Sequence, residues 1–140
     1  MDDLLRCERE CARLCQDFIY TIDRRQYDAF LALFGPDPVL DRAGQVFTGM
    51  DGLRKFCEGR QQDRYVRHTC SNIRVDMTSP TTAKGTSAVT MFGATAKPDA
   101  ALPLPSSLQV FAEYDDDYVL TSAGWKISSR KISVVFQPGA

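Results

Sequence analysis

The sequence has one histidine, His68, and one tryptophan, Trp125, among its 140 residues. Chemistry that needs two imidazoles from one chain is therefore excluded. No apolar run approaches the ~18 residues of a membrane helix. The opening residues, MDDLLRCERE, are acidic and amphipathic without a continuous apolar stretch, which reads against a signal peptide. An excess of one charge is also missing. Seventeen Lys+Arg stand against eighteen Asp+Glu, for a net charge of −1, so the chain lacks the dense basic field that nucleic acid requires. Nothing matches a P-loop, a dinucleotide fingerprint or a serine nucleophile elbow. The five cysteines are an odd number and cannot all pair within the chain. Without a leader they are expected as reduced thiols in a cytoplasmic protein. Neither nucleic acid nor membrane is an expected partner.

What remains is ordinary globular composition, 44% hydrophobic and 25% charged, in a chain long enough to bury roughly two-thirds of its unfolded surface. One domain over residues 1–140 is expected. Leu4, Leu5, Cys11, Leu14, Cys15, Phe18, Ile19 and Ile22 recur at three- and four-residue steps, predicting a helix over 3–22. Tyr27, Phe30, Leu31 and Phe34 form the stripe of a second helix, stopped by Gly35-Pro36, with Asp23 and Gln26 as a capping box. A small hairpin pairs Val39-Leu40 with Val46-Phe47. A third helix covers about 50–59, with Met50, Leu53, Phe56 and Cys57 inward.

The period then changes to two. Four long strands are predicted near 64–78, 82–95, 107–120 and 125–136, and the three prolines of KPDAALPLP make 97–105 an exposed loop with the makings of a lid. Helices first and strands afterwards predict an α+β fold: a curved antiparallel or mixed sheet closed by three N-terminal helices, a cone-shaped roll around a pocket. In the first long strand Val66, His68 and Cys70 share one parity, and Ile73, Val75 and Met77 the other. Such a switch at Ser71-Asn72 predicts a β-bulge that bends the sheet. One face of the second strand reads Ala83, Gly85, Ser87, Val89, Met91, Gly93. These small side chains leave room for a pocket.

Several residues could carry chemistry there. An imidazole exchanges a proton near neutral pH, so His68 is either a general base or a core histidine satisfied by backbone. Asp23 falls at the C-terminal end of the first helix, where a carboxylate opposes the macrodipole. It either caps the second helix or accepts a hydrogen bond from His68. Arg130 could hold an oxyanion; pairing of Leu120 with Trp125 would instead set it opposite Asp115 in a cross-strand ion pair, unless a bulge shifts the register. Asp116 interrupts the apolar face that it shares with Tyr114 and Tyr118, so it is a pocket acid or a backbone anchor. Tyr20, Tyr65 and Tyr114 are hydroxyl donors or packing, Asn72 serves the cavity or the bulge, and Met91 faces the pocket. Cys7, Cys11 and Cys15, four residues apart, cannot wrap a metal from one straight helix and read as buried thiols.

The order IDRRQYDAFLALF, FTGMDGLRKF, RHTCSN and EYDDDYVLTSAGWKISSR resembles the SnoaL-like branch of the nuclear transport factor 2-like superfamily, over about Leu4 to Phe136. The resemblance implies a helix-filled cone of curved sheet and a homodimer or higher homo-oligomer. Members include polyketide cyclases, dehydratases, isomerases, a dehydrochlorinase and dioxygenase β subunits. Fold does not choose among them. Asp23 and His68 match the catalytic pair of the scytalone dehydratase and hexachlorocyclohexane dehydrochlorinase members, and Arg130 a cavity arginine of the latter. The dehydratase's second histidine and the steroid isomerase's carboxylates have no counterpart. These matches imply a cofactor-free lyase, isomerase or cyclase, with His68 as base and Asp23 as its partner. The reading of the residues themselves places a small apolar or hydroxylated organic substrate among Tyr20, Tyr65, Asn72, Met91, Tyr114 and Asp116. A non-catalytic binding or subunit-assembly module is the alternative.

Overall fold

In the computed structural model, which describes residues 2–139, the apolar stripe of the first segment folds as α1 (Asp3–Asp23). Asp2 caps it, its carboxylate accepting from the Leu5 amide at 2.8 Å. Cys7, Cys11, Leu14, Cys15, Phe18, Ile19 and Ile22 are its buried face. Two short helices follow, α2 (Tyr27–Leu31) and α3 (Gly49–Glu58), on either side of the hairpin β1 (Phe34–Arg42) and β2 (Gln45–Thr48). The long strands are β3 (Arg64–Ser79), β4 (Thr82–Thr95), β5 (Ser107–Thr121) and β6 (Gly124–Phe136). Six strands form one curled, unclosed sheet in the order β2-β1-β6-β5-β4-β3, with β1 parallel to β6 and every other pair antiparallel.

α2 is shorter than its stripe predicts. Phe34 leaves the helix and opens β1, pairing with Ile127, and the next register pair is Val39 with Ser129. The chain between them carries Pro36, Asp37 and Pro38, and a proline has no amide hydrogen to give a ladder. Asp37 adopts φ 50°, and the segment bulges out of the sheet.

Of the register shifts among the long strands, two place the candidate residues. Ser71 pairs with Ala88 but Arg74 with Thr86, so β3 carries one extra residue at the predicted parity switch. Asn72 there adopts φ 52°. Val66, His68 and Cys70 before the bulge and Ile73, Val75 and Met77 after it therefore all turn away from the exposed face. The second bulge is in β6. Asp117 pairs with Ser129 and Tyr118 with Ile127, leaving Ser128 extra. Leu120 does pair with Trp125, yet this one residue moves Arg130 from Asp115 to a position opposite Asp116.

The core lies between α1 and the concave face. Phe18 packs against Phe30, Phe34 and Tyr114 at centroid distances of 5.0, 6.2 and 5.9 Å. The room over Gly85 is not cavity, as the small residues of β4 suggest, but is filled by a neighbour. A Cβ on Gly85 would lie 3.0 Å from the Tyr118 ring and 2.7 Å from the Arg74 carbonyl.

Candidate functional site

The sheet curls away from α1 at the end of the helix, and a cavity of about 730 Å³ opens there. This is within the size range of small-molecule sites, about 300–1,000 Å³. Its floor is apolar, with Phe18 and Ile22 from α1, Val66 from β3, Val89 and Met91 from β4, and Ala112 from β5. His68 and Tyr114 are the polar groups set into that floor.

Asp23 is the last residue of α1, where its charge opposes the helix dipole. Two donors from β3 offset this. The His68 backbone amide donates to Oδ2 at 2.7 Å, and His68 Nδ1 lies 2.5 Å from Oδ1. Both carboxylate oxygens are thus committed to one residue, and the Asp23 side chain is 2% exposed. A carboxylate facing Nδ1 requires a hydrogen on that nitrogen. In the neutral ring Nε2 is then a bare acceptor, and it has no protein partner among the described residues. The capping role for Asp23 is not realised: Gln26 is the N-cap residue of α2, and no side chain caps the helix.

Arg130 is placed differently from the expectation. Its side chain is wholly buried and grips Asp116, Nε to Oδ1 and Nη2 to Oδ2, both at 2.7 Å. Phe18 and Tyr114 sandwich its guanidinium at 4.3 and 4.6 Å. Burial alone would weaken the charge, but the Asp116 carboxylate outweighs it and raises the arginine's affinity for its proton. Asp116 also accepts from the Tyr118 hydroxyl at 2.7 Å, and Cys15 Sγ sits 3.0 Å from that hydroxyl. A hydrogen bond from Cys70 lowers the Cys15 thiol below its ordinary value, against the effect of burial, and Arg130 assists. Arg130 and Asp116 lie behind the floor and do not line the cavity. The apolar face that Asp116 interrupts carries its counter-charge on the next strand.

Of the other expected residues, Met91 and Tyr114 line the cavity. Burial pushes the Tyr114 phenol well above its ordinary range, so it stays a protonated donor, although Arg130 pulls the other way. Tyr20 is half exposed beneath Arg24, whose guanidinium lies 4.0 Å from the ring. Tyr65 packs against Arg67 and accepts its Nη2 at 3.1 Å. Asn72 is exposed in the bulge. None of these three lines the cavity. The proline-bearing loop also contributes no lining residue and does not cover this opening in the structure. Cys7, Cys11 and Cys15 are buried free thiols, and no group of three metal-binding side chains occurs among the described residues. No described helix is long and apolar enough to cross a membrane.

The sequence reading missed the mouth of the cavity. Arg42 and Gln45 of the hairpin, Lys55 of α3, Arg60 and Gln61 after it, and Arg64 of β3 form its rim. Arg64 could have been found, because it shares parity with Val66 and His68. The others meet only through the curl of the sheet.

Residues 3–131 match the SnoaL-like domain family. No curated protein matches the sequence. Among solved structures, a Novosphingobium aromaticivorans protein provisionally named a scytalone dehydratase is similar with a TM-score of 0.79 at 25% identity, covering 94% of this chain and 86% of that one. A protein provisionally named a dehydratase of the NTF2-like family, from Streptomyces avermitilis, gives 0.77 at 19% identity over 91% of this chain and 95% of its own. A hexachlorocyclohexane dehydrochlorinase, LinA type 2, gives 0.73 at 18% identity over 95% and 98%. At such identities the last two show the fold alone, one described elsewhere among the similar structures as cystatin-like and NTF2-like. The sequence match covers nearly the whole chain and the architecture agrees with it: the chain belongs to the SnoaL-like domain family.

Proposed function

We propose that this protein is a cofactor-independent lyase-type enzyme acting on a small organic molecule, with His68 as its general base. The observation that carries this reading is the pairing of His68 Nδ1 with the buried Asp23 carboxylate at 2.5 Å, on the wall of an open, mainly apolar cavity. The names of the similar proteins, a dehydratase and a dehydrochlorinase, favour the same class of reaction.

Nε2 takes a proton from a carbon of the bound substrate. The electron pair left behind forms the new double bond, and the leaving group departs with its own pair from the adjacent carbon. In a dehydration the departing hydroxide takes the proton from the imidazolium and leaves as water. Asp23 holds the ring in the tautomer that presents Nε2 and balances the positive charge it gains. Tyr114 donates its hydroxyl hydrogen to the developing negative charge. Arg130 acts through Tyr114 as a positioning residue, stacked on the ring and fixed by Asp116. General-base catalysis of this kind is worth about 10²–10⁴-fold.

The test is proton exchange in deuterated water, followed by NMR, over a panel of cyclic ketones and hydroxylated aromatic and terpenoid compounds. The protein should exchange the acidic C–H of at least one member, and His68→Ala should lose that exchange with a nearly unchanged melting temperature. Equal exchange in the folded variant would remove His68 from the mechanism and return the cavity to the binding-module alternative.

A further inference from the structure

The rim of the cavity carries the cations Arg42, Lys55, Arg60 and Arg64, and its lining includes no carboxylate. This departs from the rest of the surface, since the whole chain has a net charge of −1. A depression on the other side of the sheet is mixed, with Arg74 and Lys84 beside Asp76, Asp115 and Asp117. Among the described residues, none of the four rim cations makes a salt bridge.

Two of them are held in place by neutral acceptors instead. Arg60 Nη1 donates to the Ile22 carbonyl at 2.6 Å and to the Tyr27 hydroxyl at 3.2 Å. Arg64 Nη2 donates to Gln109 Oε1 at 3.1 Å. Arg64 also lies across Gly93, where a Cβ would come within 2.7 Å of the guanidinium nitrogen, so the missing side chain there is the space the cation occupies. Neutral acceptors fix direction without cancelling charge. Like charges gathered at a low-dielectric opening repel one another and raise the local concentration of anions.

We infer that the molecule taken by this cavity is an amphiphilic anion, with an apolar body on the floor beside His68 and an oxyacid group, such as a carboxylate, at the rim. This deepens the functional reading and rests on the same cavity. Arg64 and His68 are four residues apart on β3, roughly 13 Å along the strand. The anionic group and the reacting carbon therefore sit at opposite ends of the molecule's apolar body. An uncharged molecule, whether apolar or hydroxylated as the sequence leads one to expect, would leave the rim cations unused.

The test uses a matched pair of fluorescent probes: 8-anilinonaphthalene-1-sulfonate and its uncharged counterpart N-phenyl-1-naphthylamine. Both should bind, and Met91→Trp, which fills the floor, should abolish both. Arg42→Gln/Lys55→Gln should weaken the sulfonate about 3–10-fold and leave the neutral probe unchanged. Raising the salt should weaken the sulfonate selectively. As competitors, 2-naphthoate and 2-naphthyl phosphate should each outdo methyl 2-naphthoate, and their order identifies the preferred headgroup. Equal binding of the two probes with no response to salt or to the double substitution would overturn the inference. So would sulfonate binding that survives Met91→Trp. Neither result touches the role of His68, which the deuterium exchange decides separately.

Discussion

Replacing Asp23 by asparagine tests the core of the mechanism without needing a substrate. The carboxylate receives two hydrogens from His68, one from the backbone amide at 2.7 Å and one from Nδ1 at 2.5 Å. An asparagine has one acceptor oxygen. If that oxygen keeps the backbone amide, the NH₂ group faces Nδ1, and two donors cannot meet. The ring must then give up the Nδ1 hydrogen and carry it on Nε2, the nitrogen that should act as base. The expected loss of turnover on an exchanged substrate is about 10²–10⁴-fold, or about 3–5 kcal/mol in the barrier. The stability cost is smaller, about 1–3 kcal/mol for weakening a buried charge-assisted pair. Because the chain has one histidine, a long-range ¹H–¹⁵N spectrum contains one imidazole, and its tautomer is read without assignment. The neutral ring should carry its hydrogen on Nδ1 in the natural protein and on Nε2 in Asp23→Asn. A natural protein whose neutral ring already carries its hydrogen on Nε2 would refute the reasoning.

Three further outcomes follow from the packing. Asp116→Ala strands the fully buried Arg130 guanidinium and should cost about 3–5 kcal/mol in urea unfolding, whereas Asp116→Leu/Arg130→Met should recover most of it; a loss below about 1 kcal/mol in the single variant would show that water reaches Arg130. Gly85→Ala drives a Cβ to 2.7 Å from the Arg74 carbonyl and 3.0 Å from the Tyr118 ring, and overpacking of this kind should cost about 1–3 kcal/mol by thermal melting. Glu10 accepts from Arg6 and from the Trp125 amide, and these bonds outweigh burial and lower its carboxyl below the ordinary value. A lowered folded value means that its contribution is present above the unfolded pKa and is lost as pH falls through the folded one. Glu10→Gln should therefore melt lower than the natural protein at pH 7, and the gap should narrow as the pH is lowered through the acid range.

The periodicities of the chain determined the element order and the α+β class. Apolar spacing of three and four buries one side of α1, and alternation cannot hide the same residues in any structure but a strand. The Ser71-Asn72 bulge was legible too, because changing parity without it would expose half of β3. His68 and Asp23 stood out by their residue types and by family pattern, but the hydrogen bonds between them join residues 45 apart and come only from the fold. The bulge at Ser128 was silent, because serine and lysine neighbours give β6 no sharp alternation there. That single residue took Arg130 away from Asp115 and sealed it against Asp116. The rim cations belong to β1, α3, the turn after it and β3, which lie far apart along the chain and meet only when the sheet curls. Local spacing dictates which side of an element is buried. Which buried polar groups face one another, and where the sheet leaves a space unfilled, is decided by register and curvature, and those are properties of the assembled fold.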